Sequence, residues 1–233
     1  MLRLGLSRPL SGTLEPEREQ MAASFEEVYS HLKKSVARLH GNWKFLTTLF
    51  GTEEALKLFN DTDPVAGAFI HNAIVEKTVL DIAKLRDPET TGQFENLSFQ
   101  NVVTKLKHEH THADTTTIDK EIATFLTDTE PFRDLRNKQI AHSDAATLLA
   151  PVSTIGGISR TDIENVISQT ESIMNNIEIA SGNSHVVYSG TGVSSGGALL
   201  AGALRYANRY FEISDLATND PPDIEKIIQL AQA

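Results

Sequence analysis

From residue 15 to residue 142 the apolar positions recur at helical spacing. Val28, Leu32, Val36, Leu39, Trp43, Leu46 and Phe50 follow one another three or four residues apart, which predicts one long amphipathic helix ending near Gly51. Thr52 is placed to cap a short helix over 53–59. Asp63-Pro64 supplies an N-cap and a first-turn proline for a helix over 64–86, which Asp87-Pro88 stops. That helix is apolar around more than one face (Phe69, Ile70, Ile74, Val75, Val79, Ile82), so it is expected at the centre of a bundle or at a subunit contact. Ser98 caps a helix over 99–108. After a threonine-rich break, Ile118, Ile122, Phe125 and Leu126 begin another, which the spacing of Phe132, Leu135 and Ile140 carries past Pro131. Thr161-x-x-Glu164 has the form of a capping box opening a helix over 163–180. A Gly/Ser-rich loop is expected over 181–197, and helices over 198–213 and 223–232 follow. Val186-Val187-Tyr188 is the strand-like run of note, too little for a sheet, so the fold class is all-α. The expected organisation is an N-terminal extension (1–14), a helical domain (15–180), the loop (181–197) and C-terminal helices (198–233) packing on the same domain.

Composition narrows what such a bundle can do. The 233 residues are 40% hydrophobic and 22% charged, enough apolar content for a core. Lys+Arg 21 against Asp+Glu 31 gives a net charge of −10, so the surface as a whole repels polyanions and any phosphate site must be a local basic pocket. The absence of cysteine excludes disulfides, thiolate metal sites and a cysteine nucleophile. Residues 1–12 carry Arg3 and Arg8 but no apolar run of signal-peptide length, and no stretch is long and apolar enough to span a bilayer, so a cytoplasmic protein is expected.

Three motifs carry possible chemistry. His108-Glu109-His110-Thr111-His112 satisfies H-E-x-x-H, which needs both histidines on one helical face. Apolar periodicity stops at Leu106, so the motif straddles a helix end and no metal ligand set is expected. Gly192-Val193-Ser194-Ser195-Gly196 matches G-x-S-x-G, but a nucleophile elbow needs a sheet and a histidine later in the chain, and none follows His185. The third, Leu135-Arg136-Asn137-Lys138-Gln139-Ile140-Ala141-His142, ends a helical stretch where Arg133, Arg136 and Lys138 against Asp134 are locally +2. In an unbroken helix Arg136 and His142 would lie about 120° and about 9 Å apart, so a bend, a helix end or a second chain must bring them to one phosphate. Alternatively, Arg136 pairs with Asp134 or a neighbouring carboxylate, and His142 merely ends a helix.

The segment "LRNKQIAHSD", residues 135–144, resembles the Arg-polar-x4-His signature of HEPN domains, and "IAKLRDPETTGQFENLSF", residues 82–99, resembles the abortive-infection (AbiU-like) branch of that superfamily. The likeness extends over roughly residues 20–180. It implies a HEPN-like helical bundle that dimerises and, in active members, a metal-independent endoribonuclease needing no cofactor. Arg136 matches the family arginine, Asn137 its polar neighbour and His142 its histidine. Arg133 and Lys138 are the expected contacts to nucleic acid. The expected function is RNA cleavage in a phage-defence or toxin-like system, with RNA, a second copy and an antitoxin or activating protein as partners. The alternative is a HEPN-like module that binds RNA, a nucleotide or a protein without cutting.

Overall fold

A computed structural model describes residues 23–137, 157–188, 194–218 and 223–232. The expected extension, 1–14, lies outside the described residues. The described chain is all-α apart from one two-stranded hairpin.

Helix α1 (Phe25–Phe50) opens on a capping box: Ser24 Oγ accepts from the Glu27 amide at 3.3 Å, and Glu27 Oε2 accepts from the Ser24 amide at 3.0 Å. The Ser24 amide thereby holds the Glu27 carboxyl below its ordinary value. Of the predicted stripe, Val28, Leu32, Val36, Leu39, Trp43 and Leu46 are buried, joined by Phe25, Tyr29 and Leu49, while Phe50 is only partly buried. Helices α2 (Glu53–Thr62) and α3 (Pro64–Leu85) start at the expected caps, Thr52 accepting from Ala55 N and Asp63 from Val65 N and Ala66 N. The loop after α3 contains strands β1 (Thr90–Thr91) and β2 (Phe94–Glu95), paired antiparallel, with Gly92 taking the left-handed turn position at φ 62°. Helices α4 (Phe99–Glu109), α5 (Thr116–Asp128), α6 (Glu130–Leu135) and α7 (Arg160–Ala180) complete the main core with α1 and α3.

Several features depart from the sequence expectation, beginning with element boundaries. The helix starting near Ile118 does not run through Pro131 but breaks at Thr129 into α5 and α6. Pro131 has no N–H to continue the ladder, and buried Thr129 takes over both ends: its amide and Oγ1 donate to Phe125 O, and its carbonyl accepts from Phe132 N and Arg133 N. Helix α7 starts earlier than expected, because the capping box that forms is Ser159-x-x-Asp162 rather than Thr161-x-x-Glu164. The earlier frame places buried Ile158 and Ile163 at the two staple positions, whereas Glu164 pairs with Arg160 at 2.8 Å. Helix α8 (Ser194–Thr218) takes in the last residues of the expected loop and continues beyond Ile213. Its start reads as loop because of Gly196-Gly197, yet Gly197 is helical and lies so close to α1 that a Cβ there would stand 3.1 Å from Phe45 O and 3.2 Å from Thr48 Cβ. Within one chain, α3 is not buried all round, which excludes the centre of the bundle for its first turns and leaves the subunit-contact alternative. Val75, Val79, Ile82, Ala83 and Leu85 enter the core, but Val65 and Phe69 (73% exposed) face outward.

Helix α8 packs on α1 and α2 through a second cluster in which Ala201 meets Leu49, Leu58 and Phe59, and α9 (Ile224–Gln232) packs on α8. The run 186–188 is not a strand. Tyr188 is buried beside His40 at 5.7 Å, with burial pushing its hydroxyl up to about 12. His40 Nε2 lies 3.1 Å from Thr170 Oγ1, and because that hydroxyl donates to Ile167 O, the imidazole is the donor in this contact. Burial lowers the His40 pKa, which favours that neutral form. No helix among the described residues is long and apolar enough to cross a membrane.

Candidate functional site

The corner at Thr129 turns α6 across the C-terminal end of α3, and this crossing carries Arg136. Immediately after α6, Arg136 Nη1 donates to Asp87 Oδ1 at 3.0 Å and lies 3.5 Å from Ala83 O, while Nε donates to Asn137 Oδ1 at 3.2 Å. Ala83 sits in the last turn of α3, where carbonyls lack helical partners and the helix dipole is negative, so the guanidinium lies where a cation is favoured. The Arg136 side chain is 23% exposed and that of Asp87 is 27% exposed, so both can be reached by a ligand.

A second arginine fixes the crossing from the other side. Arg86, 8% exposed, donates from Nη2 to Leu126 O in the last turn of α5 at 3.1 Å and pairs with Glu130 at the start of α6. Glu130 also accepts from Arg133 Nη1 at 3.3 Å. The α3 arginine thus grips the α5–α6 corner, and the α6 arginine grips the end of α3. The two segments whose likeness suggested HEPN domains meet at this point: Ala83, Arg86 and Asp87 belong to one, Arg136 and Asn137 to the other.

Of the expected site residues, Arg136 and Asn137 are brought together, and Arg133 stands half-exposed on α6. Lys138 and His142 lie outside the described residues. The carboxylate that pairs with Arg136 is Asp87, which sequence reading treated only as a helix stop. Arg86 is a second residue of the crossing that no motif marks. Its signal was a charged Arg-Asp doublet at the end of an apolar helix, where charge has no packing purpose.

The histidine motif is built into the scaffold instead. Helix α4 ends at Glu109, whose Oε1 accepts from Phe25 N at 2.8 Å at the start of α1, and the His110 ring meets Phe25 edge-on at 5.1 Å. Among the described residues no group of three or more His, Asp or Glu is placed to hold a metal ion. The G-x-S-x-G serines open α8, and Gly192 and Val193 lie outside the described residues.

Comparison with curated proteins and with solved structures gave no match. The sequence profile of the AbiU2 family of HEPN domains matches residues 22–196, about three quarters of the chain, and extends past residue 180. That match includes both segments meeting at Arg136, and with the all-α bundle it establishes that the chain belongs to the AbiU2 family of HEPN domains.

Proposed function

We propose that the protein is a cytoplasmic, metal-independent endoribonuclease with a phage-defence or toxin-like role, controlled either by an antitoxin that restrains it or by a partner that activates it. The supporting observation is Arg136: a partly exposed guanidinium on the corner between α3 and α6, beside Asn137. Arg136 forks onto two phosphate oxygens and stabilises the negative charge that builds on phosphorus, and Asn137 adds a hydrogen bond. His142 takes the proton from an RNA 2′-hydroxyl as its oxygen attacks the adjacent phosphorus. The bond from phosphorus to the 5′-oxygen breaks, and that oxygen receives a proton from a second histidine. Arg133 and Lys138 hold flanking phosphates.

One histidine does not serve both proton transfers at once, so the mechanism calls for a homodimer with one His142 from each copy. Light scattering should give twice 25.6 kDa at micromolar concentration; a monomer that does not associate on concentration would contradict the two-chain site. A direct test of the activity is incubation with RNA in excess chelator. Cleavage should proceed, and a substrate with deoxyribose at the cut site should be inert. Binding of RNA with no cleavage would replace the nuclease by the second reading, a non-catalytic binding module, which the overall acidity and the carboxylate already seated on Arg136 favour.

A further inference from the structure

We propose that Asp87 is a built-in competitor for the phosphate site on Arg136, so that a phosphodiester engages the fork through Nη1 only by displacing it. This rests on the reading of Arg136 as a phosphate-binding residue. A carboxylate and a phosphate present the guanidinium with the same thing, a pair of anionic oxygens in a plane that its forked N–H groups can meet. One such oxygen, Asp87 Oδ1, already sits 3.0 Å from Nη1.

The pair has the features of a contact that can be exchanged rather than of a fixed strut. Only one donor is committed to the carboxylate: Nε is occupied by Asn137, and the contact to Ala83 O is long at 3.5 Å. Both side chains are about a quarter exposed, where solvent and salt keep an ion pair weak. The structural work at this crossing is done by a different pair. Arg86, almost fully buried, ties Leu126 O and Glu130 to the end of α3, so the corner keeps its anchor when Asp87 lets go. Asp87 itself lies beyond the last residue of α3 and ahead of Pro88, on a connection whose next regular element is the hairpin at Thr90, so its side chain can swing without unwinding a helix. The result is a basic site that stays neutralised until a polyanion arrives and offers more than one phosphate at once. For a strongly acidic chain carrying a nuclease site, such a carboxylate suppresses binding of small anions and raises the threshold for RNA.

The test is a double-mutant cycle read by fluorescence anisotropy with a short 2′-O-methyl RNA oligonucleotide, which carries the phosphates but cannot be cut. Asp87→Asn should tighten binding about threefold to fivefold, the equivalent of removing a partly exposed ion pair. In an Arg136→Ala background the same change should do nothing, because the site it guards is gone. Asp87→Glu keeps the charge and should bind like the parent. Glu89→Gln removes one charge from the same loop without touching Arg136, and should alter affinity by less than about twofold. Circular dichroism checks that each variant folds, with Asp87→Ser as a second charge-removing variant should Asp87→Asn not fold. Equal tightening with and without Arg136 would reduce the effect to general charge and overturn the proposal. So would unchanged or weaker binding by Asp87→Asn; in both cases the phosphate-binding role of Arg136 stands as long as Arg136→Ala alone weakens binding. If Arg136→Ala binds as well as the parent, that role fails, and the proposal fails with it.

Discussion

Arg136→Ala and His142→Ala are each expected to slow RNA cleavage by ~10²–10⁴-fold, the usual cost of losing one positioned acid/base or charge-stabilising group. For Arg136 the loss is not one of folding. Its pair with Asp87 is about a quarter exposed, and such a pair contributes on the order of 1 kcal/mol or less. A melting curve close to that of the parent, together with near-complete loss of cutting, would separate chemistry from stability. Arg136→Lys keeps the charge but not the fork, and should fall between parent and alanine variant. Variants of both residues that cut as fast as the parent would remove the proposed mechanism.

The second large effect is on stability. Phe125→Ala should destabilise the fold by about 3–5 kcal/mol, a large part of the total for a domain of this size. The ring is 0% exposed and meets Phe99 edge-on at 5.1 Å and 88°, so truncation leaves a cavity and also removes an aromatic pair. The Phe125 carbonyl also accepts from both the amide and the hydroxyl of Thr129, so the cavity opens beneath the corner that carries α6 and Arg136. Urea denaturation measures the loss; a shift of less than about 1 kcal/mol would mean that α5 is not held in the core by this ring.

What the sequence disclosed was local. The caps at Thr52, Asp63 and Ser98, most of the stripe of α1 and the predominance of helix all follow from spacing and capping chemistry within a few residues, and they appear among the described residues as read, whereas the small hairpin at 90–95 does not. The start of α7 was missed because two overlapping frames both satisfy the capping pattern; Ile158 and Ile163 decide between them by burial, which spacing alone does not rank. The break at Thr129 was missed because apolar periodicity runs through it, while the missing N–H of Pro131 acts locally. Gly196-Gly197 read as loop because glycine is a poor helix former, when its lack of a side chain is what lets α8 approach α1. At the site, Arg136 and Asn137 were visible as a motif. Asp87 was not, since its role comes from a contact between residues 49 positions apart that no local pattern encodes.

The most direct test of the nuclease reading is the chemistry of the RNA ends. Attack by the substrate's own 2′-hydroxyl leaves a 2′,3′-cyclic phosphate on one fragment and a 5′-hydroxyl on the other, and mass spectrometry of the fragments distinguishes these from other products. Fragments from the purified protein in chelator should carry those two ends. A 3′-hydroxyl with a 5′-phosphate would show that water, not the ribose, is the nucleophile, and would contradict the roles given to Arg136 and His142.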